Sequence, residues 1–137
     1  MDNPGSVEVD LPQDLTAPSA ARSATRRTLD RWRLGGILEP VLLVVSELVG
    51  NAVRHGRPPV EMRLRRFGTG VRIDVHDEAK GDGIVSATSA TSATSASDEA
   101  ESGRGLLLVE AVSDDSGVEQ IEGDGKVVWA TVTPPEA

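Results

Sequence analysis

A carboxylate, a carboxamide and an imidazole recur at four-residue intervals in "SELVGNAVRHG", as Glu47, Asn51 and His55. On a helix, positions i, i+4 and i+8 stack along one stripe. A carboxamide oxygen is a hard ligand suited to Mg²⁺, a cation that usually takes few protein groups plus phosphate oxygens. A carboxylate one turn away can take a proton from an attacking hydroxyl or water. Glu and Asn four apart also occur on many solvated helix faces, so the pair alone is weak evidence.

Two further stretches carry chemistry of their own. In "SGRGLLLVEAV", Gly103 and Gly105 flank Arg104 at the mouth of an apolar helix that begins near Leu106. Glycines let backbone N–H groups approach an anion, and a helix N-terminus adds a favourable dipole. An ordinary loop-to-helix turn has the same look. In "IDVHDEAKG", Asp77 ends an alternating strand. A carboxylate there can accept a hydrogen bond from an exocyclic amine such as adenine N6, although strand-end aspartates commonly do no more than form turns.

These residues need elements to hold them. "SVEVDLP" alternates Val7, Val9 and Leu11 and reads as a short strand closed by Pro12. A helix is predicted from about Pro18 to Trp32, with Ala21, Thr25, Thr28, Leu29 and Trp32 on one face and Arg22, Arg26 and Arg33 on another. Those arginines are either a solvated side or a docking face for an acidic partner. "LGG" breaks the helix, and Pro40 fits the first turn of a second one that runs to His55 and stops at Gly56. Its core surface is predicted to comprise Val41, Leu42, Val44, Val45, Leu48, Val49, Ala52 and Val53.

"VEMRLRRFGTGVRIDVHD" reads as a hairpin turned at "FGTG", with Val60, Met62 and Leu64 answered by Val71, Ile73 and Val75. "GVEQIEGDGKVVWATV" reads as a second hairpin around "GDGK", where Lys126 looks like a turn lysine. Strands and helices alternate without a strict βαβ period. The fold class expected is α+β, a two-layer sandwich with a mostly antiparallel or mixed sheet and helices on one face.

Composition sets bounds on function. The chain has 137 residues and a net charge of −8, with two Trp, one Phe and no Tyr, so Val, Leu, Ile and Ala must build the core. Residues 1–66 carry ten Arg against eight acids, and residues 67–137 carry four bases against fourteen acids. Net acidity repels phosphate backbones and argues against direct nucleic-acid binding. No Cys is present, so disulfide and thiolate chemistry are excluded. "MDNPGSVEVDLP" lacks the basic start and apolar run of a secretory signal, and the longest apolar run, around Val41–Val45, is short for a bilayer. A soluble cytoplasmic protein is expected.

Between the two halves lies "SATSATSATSAS", residues 86–97. The segment C-terminal to it holds one short helix and one hairpin, too little for a core of its own. The tract is therefore expected to be a loop within a single domain, and a loop of roughly twenty residues is usually functional or disordered.

The order of the motifs is more specific than any one of them. Glu-x-x-x-Asn on a helix, a strand ending in Asp with Gly81 four residues on, a variable loop, then Gly-Arg-Gly-Leu opening a helix: this set resembles the GHKL (Bergerat-fold) ATPase superfamily. Within it, "SELVGNAVRHG", "GRGLLLVEAVSD" and "GKVVWATV" are similar to the small anti-sigma-factor serine kinases of bacterial stress and sporulation switches. The resemblance runs from the first strand to about Val132.

It implies ATP and Mg²⁺ as cofactors, with Glu47 as general base, Asn51 as Mg²⁺ ligand, Asp77 reading adenine, Gly81 as the second glycine of the family's Asp-x-Gly-x-Gly pattern, and Gly103, Arg104, Gly105 and Leu106 against the phosphates. His55 matches a residue often seen after the Asn, and Lys126 matches the family's Gly-Lys before the last strand. The pattern's first glycine is replaced by Ala79, whose methyl group would crowd the base pocket or alter the turn. The repeat falls where the superfamily carries its ATP lid, here about residues 79–102, between a flexible start at about 1–5 and a tail at about 134–137.

The implied partners are an anti-anti-sigma protein with a STAS fold, phosphorylated on serine, and a sigma factor that is sequestered, with Arg22 and Arg26 on the partner-binding face and no membrane contact. Homodimers are frequent in the family. The competing reading is a nucleotide-sensitive binding module of the same fold without transfer. A sensor-kinase domain acting on histidine ranks below both, because no phosphoacceptor helix precedes the motifs.

Overall fold

The computed structural model describes residues 5–79, 109, 111–121 and 125–134. Its elements are β1 (Ser6–Asp10), α1 (Ala17–Trp32), α2 (Leu38–His55), β2 (Glu61–Phe67), β3 (Gly70–Asp77), β4 (Asp115–Gln120) and β5 (Lys126–Val132), with a 3₁₀ turn, Gly35–Ile37, between the helices. The sheet runs β1-β2-β3-β5-β4, and all four neighbouring pairs are antiparallel. This is the α+β architecture expected from the sequence, with no parallel pair among the described strands.

The strands form where apolar residues alternate. Met62 and Leu64 on β2, Val71, Ile73 and Val75 on β3, and Ala130 and Val132 on β5 all point inward and are buried. α2 lies against β3 and β5, and α1 packs beside α2. One contiguous core results, joining residues before the Ser/Ala/Thr tract with Val109, Ala130 and Val132 after it. Burying both aliphatic layers supplies the main driving force, at roughly 25 cal/mol per Å² of apolar surface. The outward face stays polar, as an antiparallel sheet permits. There Arg72 and Arg65 bracket Asp74 at 2.8 and 3.2 Å, and the Arg72 guanidinium sits 4.5 Å over the Trp129 ring.

Helix α1 buries the five residues expected, together with Ala17 and Ala24. Thr25 is satisfied inside the core by donating its hydroxyl to the Ala21 carbonyl at 2.7 Å. The helix ends at Trp32, ahead of the glycines: Arg33 takes the left-handed conformation (φ 61°), and the Leu34 N–H reaches back to the Leu29 carbonyl at 2.8 Å. "LGG" is thus not the stop, and Gly35 and Gly36 belong to the 3₁₀ turn.

In α2 the expected core face holds, except that Val53 is only partly buried against the core and Leu42 is displaced from it. Leu42 is only partly buried and turns toward a groove on the outer side of the helix pair. The stretch Gly35–His55 is long and apolar enough to cross a membrane by length and composition, and in this fold it is the core helix.

Gln13 ties the front of the chain to the middle: its side chain donates to the Leu11 and Val60 carbonyls at 2.7 and 3.2 Å and accepts from the Val60 N–H at 2.8 Å. The first hairpin turns on Gly68 (φ 55°), as "FGTG" leads one to expect. Of the helix predicted after Arg104, Val109, Ala111 and Val112 are described and helical, and Val109 is buried. The predicted lid beyond Ala79, the repeat, residues 1–4 and residues 135–137 lie outside the described residues.

Candidate functional site

Counting by twos from Val132 and Ala130 along the inward side of β5 leads through Val128 to Lys126. Counting by twos from Val71 along β3 leads to Asp77. These two are register partners, so an acid and a base meet on the inward face at one end of the sheet. Asp77 is fully buried and Lys126 nearly so, at 0% and 4% exposure. Charges taken this far from water persist only when paired and hydrogen-bonded. Asp77 Oδ1 accepts from the Ala79 N–H at 2.7 Å and from Lys126 Nζ at 3.0 Å, with the Arg57 N–H farther off at 3.4 Å. Oδ2 lies 2.9 Å from Lys126 Nζ, and among the described residues no donor other than that ammonium reaches it.

The end of α2 comes up against this carboxylate. A methyl group on Gly56 would lie 2.6 Å from Asp77 Oδ2, 2.6 Å from Asp77 Cγ and 2.6 Å from the Ala52 carbonyl oxygen. Only hydrogen fits there. The main chain is pinned at the same place, because the Glu78 N–H donates to the Arg57 carbonyl at 2.8 Å. Asn51 stands five residues back along α2 from Gly56, about 7.5 Å by helical rise. Both Asn51 and Glu47 are half-buried, and among the described residues neither side chain has a hydrogen-bond or ion-pair partner.

The structure therefore brings Asp77 to the helix that carries Glu47 and Asn51. Gly81, Gly103, Arg104, Gly105 and Leu106 lie outside the described residues. His55 is the last, exposed residue of α2. Ala79 is buried, lacks the positive φ that favours glycine, and uses its N–H to hold Asp77. Its methyl group is accommodated without backbone strain.

Arg22 and Arg26 lie on the far side of the helix pair, in a groove with Leu38, Glu39, Leu42, Leu43 and Ser46. Arg22 donates to the Ser46 hydroxyl at 3.3 Å.

Lys126 is the residue that sequence reasoning undervalued. Beside "GDG" it looked like a turn lysine, but the period-two alternation of "KVVWATV" already put it on the inward face. Gly125, at φ 100°, makes that entry into β5 possible and packs against the Asp77 carbonyl.

Residues 11–132 match the histidine kinase-like ATPase domain family. The chain belongs to that family. No curated protein matches the sequence. Among solved structures, the chain is similar to the RsbU and RsbW domains of Rv1364c from Mycobacterium tuberculosis, with a TM-score of 0.66 and 18% identity. The match covers 93% of this chain and 31% of that one, so this histidine kinase-like ATPase domain spans about a third of the relative's length. At that identity the likeness concerns the fold. It is the fold of an RsbW-like domain, and ATP binding follows from membership of the family.

Proposed function

We propose that this chain is an ATP- and Mg²⁺-dependent serine kinase of the anti-sigma type, acting in the cytoplasm as a single kinase-like domain with a lid over about residues 79–102. Its substrate would be a serine on a STAS-domain anti-anti-sigma protein, and it would hold a sigma factor in alternation with that partner. The reading rests on the family, on the RsbW-like fold, and on one observation: the buried Asp77 carboxylate, paired with Lys126 and packed against Gly56 at the end of the helix that bears Glu47 and Asn51.

Each side chain then has a task. The Asp77 carboxylate would accept a hydrogen bond from the exocyclic amine of adenine. Asn51 offers its carboxamide oxygen to Mg²⁺. Among the described residues no group of three His, Cys, Asp or Glu side chains could hold a metal by itself, which fits a cation held largely by phosphate oxygens. Bound ATP–Mg²⁺ supplies the phosphoryl group and neutralises its charge. Glu47 takes the proton from the serine hydroxyl, and Gly81, Gly103, Arg104, Gly105 and Leu106 serve the base and phosphate sides of the site. Phosphoryl transfer is mostly positioning and electrostatics, so this division of labour suffices. Arg22 and Arg26, with the apolar Leu42 and Leu43 beside them, form the face for an acidic partner.

Incubation with radiolabelled ATP and a STAS-domain protein tests the reading, with Glu47→Ala as control. Label on a partner serine, lost in the variant, is expected. A wild-type chain that binds the partner and transfers nothing would leave the nucleotide-sensitive binding module as the function.

A further inference from the structure

We propose that Arg54 is a specificity-determining residue for the protein substrate, whose guanidinium, seated on Gly50 one turn along from Glu47, takes a carboxylate two residues from the serine to be phosphorylated. The inference rests on the kinase reading above and adds to it a residue and a rule for the substrate.

Arg54 follows Glu47 by seven positions on α2, which at 3.6 residues per turn returns it to within about 20° of the same line. Asn51 is offset from that line by about 40° to the other side. The proposed metal ligand and this cation therefore flank the proposed base. Leu43 and Ser46, which line the groove with Arg22 and Arg26, fall on the Arg54 side. A protein seated in that groove approaches Glu47 from the side on which Arg54 stands.

The guanidinium has a definite place. Helical side chains lean toward the N-terminus, and that of Arg54 folds back one turn onto Gly50. A methyl group on Gly50 would have Arg54 Nη1, Cζ and Nη2 as its nearest neighbours, at 3.4, 3.9 and 4.0 Å. Glycine is unfavourable inside a helix, but here its bare backbone gives the planar group a seat. Arg54 is exposed, and among the described residues it has no hydrogen-bond or ion-pair partner, Glu47 included.

The chemistry of the group selects what it holds. A guanidinium presents parallel N–H donors that match a carboxylate bidentately. Side chains three or four apart on a helix stand about 5–6 Å from one another. In an extended segment every second side chain points the same way, about 7 Å on. A serine placed at Glu47 thus brings the side chain two positions away to Gly50, where the guanidinium lies.

Synthetic peptides with a single serine test this, in pairs carrying Asp or Lys two residues before it or two residues after it. Transfer from labelled ATP gives kcat/KM on wild type, Arg54→Ala, Arg54→Glu and Gly50→Leu, each checked for folding by a melt. Wild type is expected to favour Asp over Lys on one side of the serine by about fivefold or more at low salt. Arg54→Ala is expected to abolish the preference and Arg54→Glu to reverse it. Gly50→Leu, which keeps the arginine and takes its seat, is expected to lose the preference as well. ATP affinity, read by titration calorimetry, is expected to match wild type throughout. A folded Arg54→Glu variant that keeps the wild-type preference overturns the inference and leaves the kinase reading standing. So does a loss of ATP affinity in Arg54→Ala, which would put the guanidinium on the nucleotide. Label on a STAS-domain protein but on no peptide also overturns it, because a contact beside the serine must be read in a short segment. No label on any substrate overturns the kinase reading and this inference with it.

Discussion

Gly56, the residue on which α2 stops, is pressed against the carboxylate of Asp77, so closely that a single methyl group would stand 2.6 Å from Oδ2. Two motifs, 21 positions apart in the chain when counted from Gly56 to Asp77, are joined at that point. The helix bearing Glu47 and Asn51 cannot shift without moving the side chain proposed to read the base.

Gly56→Ala should therefore cost stability and binding together. The Ala52 carbonyl and Asp77 are both in the way, and overpacking of this kind costs about 1–3 kcal/mol. Urea denaturation gives the loss, and ATP titration should show weaker affinity. An alanine variant as stable as wild type would contradict the contact.

Asp77→Asn strands the Lys126 ammonium inside the protein. Removing one partner of a buried pair costs about 3–5 kcal/mol. Combining it with Lys126→Met removes the orphaned charge, so the double variant should be more stable than Asp77→Asn alone. A double-mutant cycle by chemical denaturation reads this directly, and additive costs would mean that the pair is not coupled.

Glu47→Gln keeps the size and hydrogen-bonding capacity of the side chain and removes its basicity. Loss of a general base lowers transfer by about 10²–10⁴-fold. Because Glu47 has no partner among the described residues, melting temperature and ATP affinity should stay near wild type. A large drop in either would make Glu47 a structural residue.

Arg22→Glu and Arg26→Glu reverse charge on the groove beside Leu42 and Leu43. Affinity for the protein partner should fall by about tenfold or more, with the larger effect at low salt, while ATP affinity is unchanged. Surface plasmon resonance at two ionic strengths separates the outcomes. Equal binding of wild type and variant would move the docking face elsewhere.

At the entry to α1, hydrogen bonds from the Thr16 hydroxyl and N–H hold the exposed Asp14 carboxylate below its ordinary value of 3.8. A carboxylate lowered on folding adds stability above its unfolded value and loses it as pH falls through the folded one. Asp14→Asn should thus flatten the acid limb of the stability curve below about pH 4, lowering the neutral plateau by the same small increment while the two curves meet at the acid end. An identical acid limb would show that the contact does not persist in solution.

Much of the fold is legible in the sequence because it is local. The period-two runs of β2 and β3, the "FGTG" turn and the apolar faces of both helices follow from backbone geometry acting over a few residues. Glu47 and Asn51 share a helix stripe for the same reason. Leu42 departs from its expected place because an apolar surface read from one helix does not say which part of it a sheet will cover. Arg33 escapes notice as the helix stop because a left-handed non-glycine residue leaves no mark in composition.

Membership of the histidine kinase-like ATPase family, an antiparallel α+β scaffold and the spacing of Glu47, Asn51 and Asp77 are written in the order of residues along the chain. That Lys126 neutralises Asp77 from 49 positions away, and that Gly56 must stay bare beside it, is decided only when β5 settles next to β3 and α2 closes over their ends. Strand register and interlayer packing are long-range choices, and no local period encodes them.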